Sequence, residues 1–154
     1  MEIRRAKLED ANKISYLVIN TSATHNPNNY NTIQATTWQK YNTPARIKAQ
    51  LQERTVFCAF LNNKLVGTIG LKDNWIVGFY VSHHMRGKGL GSELIRFIEN
   101  YALEQNQKEL FLIATPSAVA FYKSKNYSIT KPVIVTLDRV DYDEFEMHKK
   151  LTKN

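Results

Sequence analysis

Three glycines, at Gly87, Gly89 and Gly91, alternate with other residues directly beside the cations Arg86 and Lys88. An apolar pattern with helical spacing begins immediately after them, so the glycines lie at the start of a predicted helix. The first N–H groups of a helix have no partner within it, and the helix dipole makes this end positive. Glycine lets a bound group approach the backbone closely, and the two cations add charge and hydrogen-bond donors. These residues therefore predict an anion site, such as a site for phosphate.

Two common phosphate-binding loops do not fit this stretch. A P-loop needs serine or threonine after Gly-Lys, whereas Gly89 follows Lys88 in this chain. A dinucleotide-binding turn needs a third glycine where Ser92 stands, and residues 82–85 separate the glycines from the preceding strand. The pattern that remains is Arg-Gly-x-Gly-x-Gly placed just after a strand. The alternative interpretation is a tight glycine turn that binds no ligand.

The glycine stretch must be positioned by the elements on either side of it. Before it, the apolar run "WIVGFYV" is typical of a buried strand. After it, one face of a long helix carries Leu90, Leu94, Phe97, Ile98 and Tyr101. The remaining residues predict a short buried strand "ELFLIA", a short helix that begins at Pro116, and late strands around "YSITKPVIVTL" and "EFEMHKKL".

The first half of the chain predicts a strand, helices and a hairpin. A strand "EIRRA" precedes the helices "LEDANKISYLVIN", "TIQATTWQKY" and "TPARIKAQLQ", the last with Thr43 as its cap and Pro44 at its first position. A polar, asparagine-rich loop is expected from Asn20 to Thr32. Asn62-Asn63 then joins the strands "TVFCAFLN" and "KLVGTIGLK" in a two-residue hairpin. Antiparallel strands before a strand–helix–strand–helix unit predict a mixed α/β or α+β domain.

Composition narrows the class of protein. The chain has 154 residues, of which 43% are hydrophobic and 23% charged, and this favours one globular domain. The single cysteine, Cys58, excludes an intrachain disulfide and is expected in the core. The net charge of +7 suits an anionic partner, which could be nucleic acid, a membrane surface or a phosphorylated cofactor. Because the charged N-terminus lacks a signal-peptide pattern and no apolar run would span a bilayer, we expect a cytoplasmic protein.

Two segments resemble motifs of one family. The stretch "VGFYVSHHMRGKGLGSELI" resembles motif A of the GNAT N-acetyltransferase superfamily, and "TPSAVAFYKSKNY" resembles its motif B. The order of elements agrees over roughly residues 1–151 and is most specific over 64–127. The segment "YNTIQATTW" is similar to a bacterial branch of the family. The resemblance implies a single GNAT domain over 1–154, with a central, mostly antiparallel sheet, one splayed strand pair and flanking helices.

The resemblance also implies acetyl-CoA as cofactor, with CoA as product. Tyr122 occupies the position of the usual general acid of an acyltransferase. The expected cofactor contacts are Phe79, Tyr80, Val81, Arg86, Gly87, Lys88, Gly89, Leu90, Gly91 and Thr115. Two positions depart from the family pattern, because Thr115 stands where asparagine is frequent and Asn126 where glycine is usual. The strands "WIVGFY" and "LFLIA" carry no carboxylate, so the general base is not visible.

The chemistry of acetyl transfer explains which groups are needed. An amine with a pKa of about 10.4 must lose a proton before it attacks a thioester, so a base is required. The attack creates an oxyanion, which an N–H near Val81 would stabilise, and Gly78 is consistent with a bulge or close ligand approach there. The leaving thiolate needs a proton, which Tyr122 could supply. On its position alone, after Phe121 on a short amphipathic helix, a tyrosine is more often a packing residue than an acid.

Several other side chains were candidates for weaker reasons. His83 and His84 are adjacent; on a strand end they would point to opposite sides and could not easily bind one metal, and a surface loop is the preferred interpretation. No Cys/His cluster has the spacing of metal ligands, so we predict no metal. His25 could be a base on the acceptor side. Tyr30, Gln34 and Trp38 fall at helical spacing, so they should share one helix face. We expect that face to lie partly in the core and partly at the rim of an acceptor cleft.

Three functions from different classes follow. The first is an acetyl-CoA-dependent N-acetyltransferase with an unidentified primary amine as acceptor, which could be a small molecule or a protein amine. The second is a non-catalytic GNAT-like protein that binds acyl-CoA as a sensor or regulator, against which Tyr122 argues. The third is a nucleic-acid-binding module, but the chain shows neither a dense basic stripe nor an aromatic platform. We therefore expect no nucleic-acid or membrane partner, and a homodimer is compatible with the family.

Overall fold

A computed structural model describes residues 1–25 and 30–153 of the chain. These residues form α1 (Ala11–His25), α2 (Thr32–Lys40), α3 (Pro44–Glu53), α4 (Leu90–Glu104) and α5 (Val119–Ser124). The strands are β1 (Glu2–Arg5), β2 (Thr55–Leu61), β3 (Lys64–Lys72), β4 (Trp75–Val81), β5 (Glu109–Ala114), β6 (Ser128–Leu137) and β7 (Val140–Lys150). Short 3₁₀ turns occupy Leu8–Asp10, His83–Met85 and Pro116–Ala118.

Local sequence signals account for most of these elements. The Thr43 hydroxyl accepts the N–H of Arg46 at 3.4 Å and Pro44 is the first residue of α3, as predicted. Asn62 and Asn63 have φ angles of 51° and 62°, which confirms the two-residue hairpin between β2 and β3.

One prediction of the first half is wrong. The expected polar loop begins too early, because α1 continues through Asn20 as far as His25. The Asn20 amide donates to the Tyr16 carbonyl at 2.7 Å, so a polar side chain is satisfied within the helix. The rest of that predicted loop includes Pro27, and residues 26–29 lie outside the described residues.

The seven strands form one mixed sheet in the order β1-β2-β3-β4-β5-β7-β6. Every neighbouring pair is antiparallel except β4 and β5, which are parallel. That parallel pairing is limited to Trp75 opposite Phe111, so the two strands diverge beyond it. This arrangement confirms the predicted mixed α/β fold with a splayed strand pair.

Helices cover both faces of the sheet. On one face, α4 buries Leu90, Leu94 and Ile98 as predicted, while Phe97 and Tyr101 are only partly buried. On the other face, α1 and α3 pack over Cys58, which is fully buried as expected. Burial raises the pKa of the Cys58 thiol to about 12, so this residue is a small core side chain. The splayed strands are therefore held between two packed layers.

A buried ion pair fixes the start of α1 against β1. The Arg4 guanidinium donates to both carboxylate oxygens of Asp10, at 2.8 and 3.0 Å, and the Lys7 N–H donates to the same carboxylate at 2.7 Å. These bonds hold the pKa of Asp10 below its usual value. No helix in the described part of the chain is long and apolar enough to cross a membrane.

Candidate active site

The site lies where β4 and β5 separate. The paired residues of these strands are Trp75 and Phe111, whose rings stack with centroids 5.1 Å apart, and the Phe111 N–H bonds to the Asn74 carbonyl at 2.9 Å. Beyond this point β4 runs on to Val81 and β5 to Ala114 without pairing to each other. Facing backbone groups of the two strands are therefore available to an extended ligand, as a sheet edge would be.

A bulge in β4 turns its side chains toward the site. Gly78 has a φ of 58°, and the register of β4 against β3 shifts opposite Thr68 and Gly70. The Thr68 hydroxyl donates to the Gly78 carbonyl at 2.9 Å. The bulge suggested by Gly78 is thus confirmed. Phe79 packs with the α4 core, whereas Tyr80 packs with the α1 core, so the site has walls on both faces of the sheet.

The glycine stretch connects β4 to α4 with left-handed backbone angles. Gly87 and Gly89 have φ angles of 72° and 82°, and a Cβ built on either would meet no atom within 4 Å. The backbone conformation therefore favours glycine at both positions, and the space in front of the turn is open. Gly91 differs, since its Cβ would lie 3.3 Å from the Phe121 ring.

The turn presents donors and positive charge. Among the described residues, the N–H groups of Gly87 and Gly89 have no acceptor, and Arg86 and Lys88 form no ion pair. Both cations are exposed beside the N-terminus of α4, where Leu90 is already buried. Unpaired N–H groups, a helix dipole and two cations fit a pyrophosphate well.

His83 and His84 lie in the 3₁₀ turn just before the glycines. Both are exposed, as the surface-loop interpretation predicts, and their rings lie side by side with centroids 4.1 Å apart. The opposite orientation expected on a strand end does not apply, because neither residue lies in a strand. Within the described residues, no group of three or more His, Cys, Asp or Glu side chains could hold a metal ion.

Tyr122 lies on α5, across the opening from Phe79. Its side chain is 8% exposed, and its ring centroid lies 6.2 Å from that of Phe79 and 6.0 Å from that of Tyr127. The hydroxyl makes no hydrogen bond to any described residue. Burial, and then the charge of Glu144, raise the pKa of Tyr122, so its proton is retained at neutral pH. Thr115 lies at the start of the turn before α5, with its hydroxyl 3.3 Å from Ser117 Oγ.

Glu144 is a site residue that sequence reasoning missed. It lies on β7, is 8% exposed, and accepts one hydrogen bond, from the Tyr30 hydroxyl at 3.2 Å. No cation pairs with it among the described residues. Burial raises the pKa of this carboxyl, which is typical of a group that exchanges protons. A signal for Glu144 was present in the sequence: side chains alternate along a strand, so Glu144 lies on the same face as Tyr142.

Tyr80 lies near Tyr122, Glu144 and Arg54, and Arg54 is a second residue that sequence reasoning missed. Burial is the main cause that raises the pKa of Tyr80; the Arg54 charge lowers it, and Tyr122 and Glu144 raise it further. These groups are therefore close enough to sense each other's charge. Arg54 follows α3, and one of its Nη atoms lies 3.7 Å from where a Cβ of Gly78 would be.

Of the residues predicted for the acceptor rim, Gln34 connects α2 to β7. The Gln34 amide donates to the Asp141 carbonyl at 2.8 Å, and the Tyr142 hydroxyl donates to the Gln34 carbonyl at 2.7 Å. Trp38 is partly buried, with its ring centroid 6.5 Å from that of Tyr80. Tyr30 precedes α2 rather than lying in it, and the side chain of His25 is outside the described residues.

Comparisons with known proteins agree with this architecture. A family model described as an acetyltransferase (GNAT) domain matches residues 8–136. No curated protein matches the chain.

Solved structures share the fold over nearly their whole length. A GCN5-related N-acetyltransferase from Rhodopseudomonas palustris is 22% identical, with a TM-score of 0.92 and coverage of 97% of this chain and 95% of that one. A probable acetyltransferase from Staphylococcus epidermidis is 20% identical, with a TM-score of 0.78 and coverage of 98% and 99%. The PaiA N-acetyltransferase from Thermoplasma acidophilum, solved with coenzyme A, is 18% identical, with a TM-score of 0.74 and coverage of 97% and 98%.

Proposed function

Because the chain belongs to the GNAT acetyltransferases, we propose that it is a single-domain, acetyl-CoA-dependent N-acetyltransferase that acts on a primary amine. The observation that carries this proposal is the glycine turn at the start of α4, placed directly beside the splay of β4 and β5. The turn fits a pyrophosphate and the splay fits an extended arm. A structural relative solved with coenzyme A supports the same choice of cofactor.

The proposed cofactor contacts form two groups, one in the glycine turn and one along the splayed strands. The turn from Arg86 to Gly91 holds the pyrophosphate through its N–H groups and cations. The backbone of Phe79, Tyr80 and Val81 lies along the pantetheine arm, and Thr115 stands at the end of the opposite strand. When bound, acetyl-CoA supplies an acetyl group that is activated as a thioester.

Two side chains provide the proton transfers. Glu144 takes a proton from the acceptor ammonium, because its raised pKa makes it a stronger base than an exposed carboxylate. Tyr122 gives its proton to the leaving sulfur, since its hydroxyl is protonated and has no other partner among the described residues. Overall, one C–N bond forms and the C–S bond breaks. The ammonium loses two protons, of which one ends on the CoA sulfur and one in solvent.

The first experiment measures cofactor binding and turnover separately. CoA at 100-fold over its dissociation constant should stabilise the protein by about 2.7 kcal/mol, visible as a raised melting temperature. Release of free thiol from acetyl-CoA should then depend on an added amine. Binding without thiol release for any amine would favour the sensor alternative. A melting temperature unchanged by millimolar CoA would contradict both functions.

A further inference from the structure

Two buried donors around Tyr80 have no acceptor in the protein. Among buried side-chain nitrogen and oxygen atoms of the described residues, only Trp38 Nε1 and Arg54 Nε lack a hydrogen-bond partner. Buried polar atoms are nearly always paired, so each exception needs an explanation. Arg54 also has no carboxylate within ion-pair distance in the described part of the chain. An anionic oxygen of a ligand is the kind of acceptor that would satisfy such a donor.

Glu144 presents the opposite charge near the same tyrosine. Its carboxylate has one donor, the Tyr30 hydroxyl at 3.2 Å, and a buried carboxylate usually has more partners or a cation. Arg54 and Glu144 form no ion pair with each other, yet the charge of each acts on Tyr80. The site therefore holds one positive and one negative group, and neither forms an ion pair with a described residue.

This pair of charges discriminates between classes of acceptor. A polyamine would bring a second cation toward Arg54, where like charges repel. A monoamine with an uncharged remainder would leave the two buried donors unpaired. An acceptor with an ammonium and a carboxylate would satisfy both groups.

We propose that the acceptor is an amino-carboxylate, with Glu144 binding its ammonium and with Arg54 and Trp38 Nε1 binding its carboxylate. The proposal rests on the proposed function, since it assigns the acceptor of the same reaction. It makes Arg54 a specificity-determining residue.

The test compares acceptors that differ only in the carboxylate. The panel contains the protein L-amino acids, β-alanine, 4-aminobutyrate and 6-aminohexanoate, each beside its methyl ester, together with spermidine. We expect the best acceptor to be an amino-carboxylate, with its methyl ester at least tenfold lower in kcat/KM. An ester, or spermidine, as the best acceptor would overturn the proposal.

Arg54→Met and Arg46→Met form a matched pair of variants. Arg54→Met should lower kcat/KM for the best amino-carboxylate at least tenfold and leave its methyl ester within threefold. Arg46 is exposed on α3 and stacks on the Tyr41 ring at 5.0 Å, so Arg46→Met should change neither value more than twofold. Equal losses for acid and ester in Arg54→Met would show that Arg54 does not bind the carboxylate.

Melting temperatures without CoA give a readout that is independent of turnover. Arg54→Met should melt at the same or a higher temperature than wild type, because it removes a partly buried charge that forms no ion pair with a described residue. The best amino-carboxylate should raise the melting temperature of wild type but not of Arg54→Met. A lower melting temperature of the ligand-free variant would assign Arg54 a structural role and overturn the proposal.

Separate outcomes identify which proposal fails. If CoA does not bind but the amino-carboxylate stabilises the protein through Arg54, the proposed function fails and the ligand class stands. If CoA binds and no amino-carboxylate binds or reacts, the inference alone is overturned.

Discussion

Removing the hydroxyl of Tyr122 should abolish most turnover without affecting the fold. Tyr122→Phe keeps the ring and its contacts with Phe79 and Tyr127. The hydroxyl makes no hydrogen bond to the described residues, so the free energy of unfolding should change by less than about 0.5 kcal/mol. The proton that the hydroxyl gives to the leaving sulfur is lost, so kcat should fall by roughly 10²–10⁴ at similar KM.

Tyr127 provides a matched control with the opposite expected pattern. It is 2% exposed, and its hydroxyl donates to Glu99 Oε1 at 2.9 Å. The same carboxylate oxygen accepts from Lys149 Nζ at 2.8 Å, so two donors hold it in place. Hydrogen bonds to charged groups contribute about 1.5–3 kcal/mol. Tyr127→Phe should therefore lose about 2 kcal/mol of stability and keep its kcat within threefold.

Two measurements on each variant decide between these roles. Urea unfolding gives the free energy of unfolding, and thiol release from acetyl-CoA with a saturating acceptor gives kcat and KM. CoA binding is checked first, so that a lost cofactor is not mistaken for lost proton transfer. A kcat for Tyr122→Phe within threefold of wild type is less than about 1 kcal/mol of barrier and would remove Tyr122 from the mechanism. A loss of stability equal to that of Tyr127→Phe would show that Tyr122 is a packing residue.

Three further perturbations test the loop, the base and the ion pair. Gly89→Asp should abolish CoA binding because it puts negative charge beside the pyrophosphate. Gly89→Ala is the control, since it adds only the backbone strain of φ 82°. Equal CoA affinities of the two variants in calorimetry would refute the role of charge. Glu144→Gln should lower kcat yet match or exceed wild-type stability at pH 7. Because the pKa of Glu144 is raised in the folded protein, ionised Glu144 destabilises wild type as the pH rises above the unfolded pKa of about 4.3. The melting temperatures of wild type and Glu144→Gln should therefore converge near pH 4. Asp10→Asn should cost about 2 kcal/mol at pH 7. The pKa of Asp10 is lower in the folded than in the unfolded protein, so the ionised carboxylate stabilises the fold above about pH 3.9, and this stabilisation is lost as the pH falls through the folded pKa. Wild type should therefore lose more stability than Asp10→Asn in an acid titration. Equal losses would contradict this prediction.

The sequence by itself determined the elements whose causes are local. Turn chemistry placed the hairpin at Asn62 and Asn63, and a cap and a proline placed the start of α3. Helical spacing identified the buried face of α4, and the alternating glycines identified the turn before it. In each case the residues that cause the structure lie within a few positions of it, so a pattern in the sequence is sufficient.

Only the tertiary structure decided which charged groups meet at the site. Tyr30 and Glu144 are 114 residues apart, and they meet because α2 packs against β7, where Gln34 bonds to Asp141 and Tyr142. Arg54 follows α3 but lies beside the bulge of β4 at Gly78, and its charge acts on Tyr80. Strand order and burial depend on how the whole core packs, and no local pattern encodes them. The same packing removes water from Glu144 and Arg54, and this turns two ordinary charges into the polar groups of the candidate site.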